Sequence, residues 1–352
     1  MVYQICINLY GKDLEITMKA VITDYQYDNV DQERALIEGA GHTLVARRTS
    51  AREEILADAA DADAILTQYC PIDEAVISRL AHCRIIIKYG IGINNIDADA
   101  AARRGIYVCN VPDYGVDEVS NHAIALYFAL SRKLFTLADA LKSGDWGYSS
   151  AMPLHRVAGS TLGLVGFGRI PQAVAGKMRG FSVRLLAYDP FCAAERMADL
   201  GVEKADLPRL LGESDFISIH CPSTPETRHM FDAGAFKAMK RSAFLINTAR
   251  GDIVDEDALI AALEQKEIAG AGLDVFAHEP VSADSPLLRM PNVIATPHSA
   301  WYTEESVRAL QRGVAEEVVR VLAGRPPLHL CNAALLQKYG FPCAPDFHRN
   351  PQ

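Results

Sequence analysis

The sequence predicts an α/β protein built from two doubly wound parallel-sheet domains. Short apolar runs alternate with amphipathic helical segments in two separate series, and a long Ala- and Leu-rich helical stretch divides them. The length, 352 residues, suits two domains rather than one. Strands that are apolar throughout, rather than alternating, fit sheets covered by helices on both faces.

The first series opens at Met18 with Lys-Ala-Val-Ile and continues with strands expected at Thr43–Ala46, Ala64–Thr67, Ile85–Lys88 and Ile106–Val108. Helices are expected between them at Asp31–Glu38, Ala51–Ala59, Asp73–Leu80 and Asp97–Arg104. The stretch from Val116 to about Lys142, entered by Asp117-Glu118, is too long for a local crossover and reads as a bridge between domains. Strands of the second series are expected at Thr161–Val165, Arg184–Tyr188, Phe216–His220, Ala243–Asn247, Gly270–Asp274 and Val293–Thr296. A last helix, Thr303–Ala323, is expected to return to the first domain and make it discontinuous. The expected boundaries are therefore 18–115 plus 300–332 for one domain and 116–299 for the other. Residues 1–17 read as an extension ahead of a natural start at Met18. Past Gly324 the Pro-rich RPPLHL and GFPCAPDFHRNPQ show no periodicity, so 333–352 read as a surface tail.

Composition excludes several classes. With 49% hydrophobic and 22% charged residues, the chain is no fibre, disordered segment or disulfide-stapled miniprotein. A net charge of −9 argues against a nucleic-acid partner, although one local arginine can still bind a small anion. The eight cysteines show no paired spacing, which suits free thiols in a reducing compartment. Lys12, Asp13 and Glu15 interrupt any signal-peptide run, and no apolar stretch reaches the ~18 residues of a membrane span. A cytoplasmic protein without a membrane partner is expected. Histidines 42, 82, 122, 155, 220 and 229 lack metal-ligand spacing, so no metal is expected. His122, one turn after Glu118, reads as a helix-surface pair or an interdomain contact.

The segment Thr161-Leu-Gly-Leu-Val-Gly166-Phe-Gly168-Arg169-Ile170-Pro171 is a strand, a glycine turn and a helix start. Asp189 follows at the end of the next strand. In a Rossmann unit the first glycine makes the tight turn, the second admits a pyrophosphate, and the distal acid binds the adenine ribose. A carboxylate at that place repels a 2′-phosphate, so NAD is favoured over NADP. Pro171 stands where a third glycine is usual; that glycine serves packing, and proline is tolerated in a first helical turn.

Three further segments end expected strands: Asn247-Thr-Ala-Arg250-Gly251, Asp274-Val-Phe-Ala-His278-Glu279-Pro280 and Thr296-Pro-His298-Ser-Ala300-Trp301. Arg250 offers a fork for a carboxylate and can polarise a carbonyl. His298 can exchange a proton near neutral pH, and Glu279 can orient the imidazole and favour its charged form. Singly, each has a plainer reading: a helix-capping arginine, a loop acid, a loop histidine bonded to backbone. Together, at the carboxyl edge of a sheet behind a nucleotide turn, they suit hydride transfer to a carbon beside a carboxylate.

These motifs, GFGRI, NTARG, DVFAHEP and TPHSAW, resemble the D-isomer-specific 2-hydroxyacid dehydrogenases, from about Met18 to Gly324. Within that family PHSAWYTEES leans to the branch of phosphoglycerate dehydrogenases and C-terminal-binding corepressors. The resemblance implies two Rossmann-like domains, the discontinuous one substrate-binding and the other NAD-binding, with an interdomain active-site cleft. It implies a homodimer, a small 2-keto or 2-hydroxy acid as substrate, and Arg250, Glu279 and His298 as the catalytic set. It makes Thr248, Ala249 and Asp274 nicotinamide-side contacts and Pro222 and Thr227 cofactor-loop contacts, with His298 and Ala300 also cofactor-binding, beside Gly166, Gly168, Arg169, Ile170 and Asp189. The family's substrate loop matches Lys88-Tyr89-Gly90-Ile91-Gly92-Ile-Asn94, whose Ile91 and Gly92 amides would bind a carboxylate; Asn94 replaces an acid usual there. Trp301 reads either as a wall of the substrate pocket or as a core tryptophan. Since no further domain follows about residue 330, the long, serine-regulated form of phosphoglycerate dehydrogenase is not expected. The alternative function is an NAD-sensing, corepressor-like binding protein with vestigial activity.

Overall fold

The structure, a computed structural model, describes residues 17–343; the expected extension before Thr17 and the end of the expected tail lie outside the described residues. The chain divides into two compact units, one holding everything up to Tyr114 together with the chain from Thr303 onward, the other Gly115–Tyr302.

The first unit begins β1 (Lys19–Ile22), α1 (Asp31–Gly39), β2 (Thr43–Ala46), α2 (Arg52–Ala59) and β3 (Ala64–Thr67). It continues α3 (Glu74–Ile77), β4 (Ile85–Lys88), α4 (Ala98–Arg103) and β5 (Tyr107–Cys109). The strands are all parallel in the order β2-β1-β3-β4-β5. Val21, Ile65, Ile86 and Val108 pack into one core with Ile55, Val76 and Ala100 of the helices. Their neighbours Ile22, Leu66 and Ile87 are equally buried, as a sheet covered on both faces requires. Asp73 and Asp97 cap α3 and α4 by accepting from the amides of Val76 and Ala100. α3 is shorter than its expected span because the Arg104 guanidinium takes the carbonyls of Ile77, Ser78 and Leu80, stabilising a turn in place of a further helical turn.

The second unit begins with α5 (Val116–Ser131) and α6 (Leu134–Lys142). The single long helix expected here is broken at Lys133, whose φ is +47°. Val119, Ala123, Leu126, Tyr127 and Leu130 hold α5 in the core, whereas α6 buries no residue, so packing does not hold the two in line. Then follow β6 (Thr161–Val165), α7 (Arg169–Met178), β7 (Arg184–Tyr188), α8 (Ala194–Asp199), β8 (Glu203–Lys204) and α9 (Leu207–Glu213). β9 (Phe216–Ile219), α10 (Ala233–Ala238), β10 (Phe244–Asn247), α11 (Glu256–Glu264), β11 (Gly270–Leu273) and β12 (Val293–Ala295) complete it. β8, two exposed residues at the sheet edge, has no apolar signal and no counterpart among the expected strands. The seven strands are parallel in the order β12-β11-β10-β9-β6-β7-β8. Strand order reverses between β6 and β9, where doubly wound sheets open a ligand crevice at their carboxyl ends. Along β10, Leu245 enters the core with α9–α11 and Ile246 the core with α5, α7 and α8.

From Thr303 the chain rejoins the first unit as α12 (Glu304–Leu322), started by a reciprocal Thr303–Ser306 cap. Leu310, Val314, Ala315, Val318 and Val321 form its buried stripe, which covers the open sheet face beside α1. The segment expected to be a surface tail is instead docked: α13 (Ala333–Lys338) packs on α4 with Leu336 fully buried. The reason lies in hydrogen bonding rather than periodicity. Asn332 accepts from Val108 N at 3.0 Å and donates to Ile106 O at 3.0 Å, while Cys331 N donates to Val108 O at 2.8 Å, so the segment satisfies the free edge of β5. Among the described residues no helix is long and apolar enough to cross a membrane.

Leu336→Ala should destabilise the first unit by about 2 kcal/mol or more. Urea unfolding measures this, and an unchanged midpoint would return the segment to the surface.

Candidate active site

At the crevice of the second unit β6 ends in Gly166, with φ +92°. A Cβ there would come within 2.9 Å of Cys221 N and 3.0 Å of the His220 carbonyl carbon, so only glycine lets the turn lie against the end of β9. Gly168 precedes α7 and has open space around its Cα, while Arg169 and Ile170 form the first helical turn. Pro171 occupies that same turn and is buried, where a missing N–H costs no helical bond. Asp189, at the end of β7, accepts from Phe167 N and Phe191 N, both at 2.8 Å, and so fastens the glycine turn while keeping lone pairs for sugar hydroxyls. The loop after β9 closes on itself: the Thr227 hydroxyl donates to Pro222 O at 2.7 Å. Thr248 is buried at the end of β10 and its hydroxyl has no protein partner, an orphaned polar atom on the sheet edge that also carries the glycine turn. An open glycine cradle, a helix start, an acid beyond it and an unsatisfied hydroxyl fit a dinucleotide. His220 sits beside the turn, bonded to the Ser218 hydroxyl; burial pushes its pKa down to about 3 and removes it as a proton carrier.

β10 delivers Arg250. The buried Asn247 brackets it, accepting from Ala249 N at 3.0 Å and donating to Arg250 O at 2.9 Å. Gly251 then lies against the turn after β11; a Cβ would sit 1.9 Å from the Phe276 carbonyl carbon. That contact brings the guanidinium-bearing turn up to the turn carrying Glu279. One Glu279 oxygen accepts from Phe276 N at 3.0 Å, and the other lies 2.7 Å from His298 Nδ1. Burial opposes the Glu279 charge, but the His298 bond and charge, the Phe276 amide and the Arg250 charge outweigh it, holding the carboxyl below its ordinary range. An ionised carboxylate can only accept, so Nδ1 of His298 carries a proton and Nε2 is left for a reactant.

His298 follows β12 on a strained turn with φ +51°. Asp274, only 1% exposed, is what the turn winds around. Its carboxylate accepts from the Thr296 hydroxyl at 2.6 Å, Ser299 N at 3.0 Å and Ala300 N at 2.9 Å, and its carbonyl accepts from His298 N at 2.8 Å. Trp301 is partly buried, and its indole N–H donates to His298 O at 3.0 Å, so it braces the turn whichever way its ring is used. His122, expected as a helix-surface pair or an interdomain contact, reaches within its own unit to the end of the sheet: its Nε2 is 3.0 Å from the Thr296 hydroxyl and 3.7 Å from Asp274 Oδ1. A partner 174 residues away leaves no local pattern, so sequence spacing could not find it.

The second unit thus gathers Arg250, Glu279, His298, Asp274 and Ala300, with Thr248 and Ala249 on the same β10 edge. The substrate-loop residues belong to the first unit. There Tyr89 turns inward, its hydroxyl donating to Glu33 at 2.8 Å, so its side chain is committed to the core. Gly90, with φ +139°, accepts at its carbonyl from Val111 N, and Ile91 O accepts from Asn110 Nδ2 at 2.6 Å, which pins the loop that carries the Ile91 and Gly92 amides.

Residues 124–300 match the family model "D-isomer specific 2-hydroxyacid dehydrogenase, NAD binding domain". The chain is 40% identical to a glyoxylate reductase of Korarchaeum cryptofilum over 281 residues, 79% of this chain and 85% of the relative. It is 36% identical to a D-3-phosphoglycerate dehydrogenase of Archaeoglobus fulgidus over 82% of this chain, spanning only 55% of that longer protein. A D-lactate dehydrogenase from Aquifex aeolicus, solved with NAD and lactic acid, superposes with a TM-score of 0.79 at 28% identity, covering 91% of this chain and 98% of that one. The corepressor-like alternative draws no support from these relatives. The chain belongs to the D-isomer-specific 2-hydroxyacid dehydrogenases, oxidoreductases of CH–OH donors, and its cofactor is NAD.

Proposed function

We propose that the enzyme interconverts a small 2-keto acid and the corresponding D-2-hydroxy acid, with His298 as general acid and base. The observation that carries this reading is the 2.7 Å bond between His298 Nδ1 and a carboxylate held ionised, in the unit that bears the dinucleotide turn. Bound NAD supplies the hydride acceptor, and its reduced form the donor. In reduction His298 donates a proton from Nε2 to the ketone oxygen; in oxidation it takes the proton back from the hydroxyl. Glu279 holds the imidazole in orientation and stabilises its cationic form. Arg250 binds the substrate carboxylate and polarises the carbonyl, Trp301 walls the substrate side, and in the first unit the amides of Ile91 and Gly92 are donors suited to a carboxylate.

His298→Ala should lower reduction of glyoxylate, hydroxypyruvate or pyruvate, whichever the enzyme accepts, by about 10²- to 10⁴-fold while NADH binding, read by nicotinamide fluorescence, is kept. Retained turnover would remove His298 from its role.

Glu279→Gln tests the orienting carboxylate through pH. The depressed titration of Glu279 keeps its charge present at neutral pH and lost only in acid, below the usual carboxylate range. Protonating Glu279 removes the charge that orients the imidazole. The parent's kcat/KM should therefore show an acid limb that the Gln variant lacks, and a pH-independent ratio of variant to parent would contradict the assignment.

We also propose a homodimer built on the NAD-binding unit. Leu134, Phe135 and Leu141 of α6, with Trp146, Tyr148 and Met152 after it, are more than half exposed, Trp146 by 89%. Trp146→Asp combined with Phe135→Asp should shift sedimentation from dimer to monomer; an unshifted dimer would place the interface elsewhere.

A further inference from the structure

From the bonds around Asp274 we infer that His122 is a positioning residue for the reaction, the outermost donor of a directed chain that runs His122→Thr296→Asp274 and sets the turn bearing His298. The inference rests on the proposed role of His298.

The direction of the chain follows from proton counting. The Thr296 hydroxyl has one hydrogen, and at 2.6 Å it goes to the Asp274 carboxylate, which can only accept. The Thr296 oxygen must then accept from His122 Nε2 at 3.0 Å, so His122 carries a proton on Nε2. Asp274 in turn collects Ser299 N and Ala300 N, the two residues immediately after His298, and takes His298 N at its backbone carbonyl. His298 is therefore flanked on both sides by residues bonded to this chain.

The chain has a rigid base. His122 lies on α5, whose neighbouring Ala123 and Leu126 are buried in the core. Leu126 packs against Gly272 of β11, where an added Cβ would meet its Cβ at 3.2 Å. The donor thus stands on a helix seated on the strand that ends at Asp274. Without His122, the Thr296 oxygen loses the donor that anchors it to α5. The turn, already in a left-handed conformation at His298, then has one constraint fewer. The bonds of this chain run to the turn that bears His298, so loss of His122 should act on the placement of the proton donor rather than on substrate binding.

His122→Leu should lower kcat about tenfold to a hundredfold with KM for the 2-keto acid changed by less than about threefold, since small displacements of a reacting group cost on this order. His122→Gln, whose amide can donate from nearly the same place, should recover most of kcat. Thr296→Val, which also removes a donor to Asp274, should lower kcat at least as far as His122→Leu, and the double variant should be no worse than Thr296→Val alone. Equal losses in the Leu and Gln variants, multiplicative losses in the double variant, or a kcat within twofold of the parent in His122→Leu would each overturn the inference. A second measurement needs neither turnover nor a stable Leu variant. Nitrogen NMR of histidine-labelled protein, assigned with His122→Gln, should show a proton on His122 Nε2. An Nε2 without a proton would overturn the chain itself, while a protonated Nε2 in a protein that reduces no 2-keto acid would fault only the proposed function.

Discussion

A buried carboxylate must be surrounded by donors or lose its charge, and at Asp274 that requirement shapes the catalytic edge of the protein. The donors that satisfy it come from the turn that follows β12, so the turn cannot relax without leaving an anion unsatisfied in the core. The left-handed backbone at His298 is tolerated because it is over-determined from both sides. The imidazole is placed by the backbone first, and its bond to Glu279 then selects which nitrogen faces outward.

Two glycines work in a different way, by permitting contact. Gly166 lets the phosphate-binding turn meet the end of β9, and Gly251 lets the Arg250 turn lie on the strand exit that leads to Glu279. In both places backbone touches backbone, so no neighbouring side chain can move aside to admit a Cβ. The nucleotide turn after β6 and the charged set after β10–β12 are thereby held at the carboxyl ends of one parallel sheet, with β9 between them. Such sheets host many chemistries, and what is particular here is the set of groups at their carboxyl edge.

Most of the architecture was legible because parallel strands such as Ile85–Lys88 and Phe216–Ile219 are short, mainly apolar runs, and because the glycine turn and Asp189 stand at fixed offsets. What escaped detection has physical reasons. The break at Lys133 depends on α6 burying nothing, which an apolar composition conceals. The C-terminal helix is secured by one asparagine completing a strand edge, and a single residue has no periodicity. Arg250, Glu279 and His298 were readable as types of residue after strands. The bracing by Asn247, Trp301 and His122 was not, since each acts through backbone or through a partner distant in sequence.

The interrupted course of the first unit has a consequence during synthesis. Its five strands are complete once Cys109 has been made, yet the helix that covers their second face begins only at Glu304. At ordinary translation speeds the intervening ~195 residues take roughly 10–40 s to emerge. Throughout that interval Ile22, Leu66 and Ile87 lie on a face still without its α12 cover. The nascent chain therefore carries an apolar sheet face without its final cover while the other unit is being made.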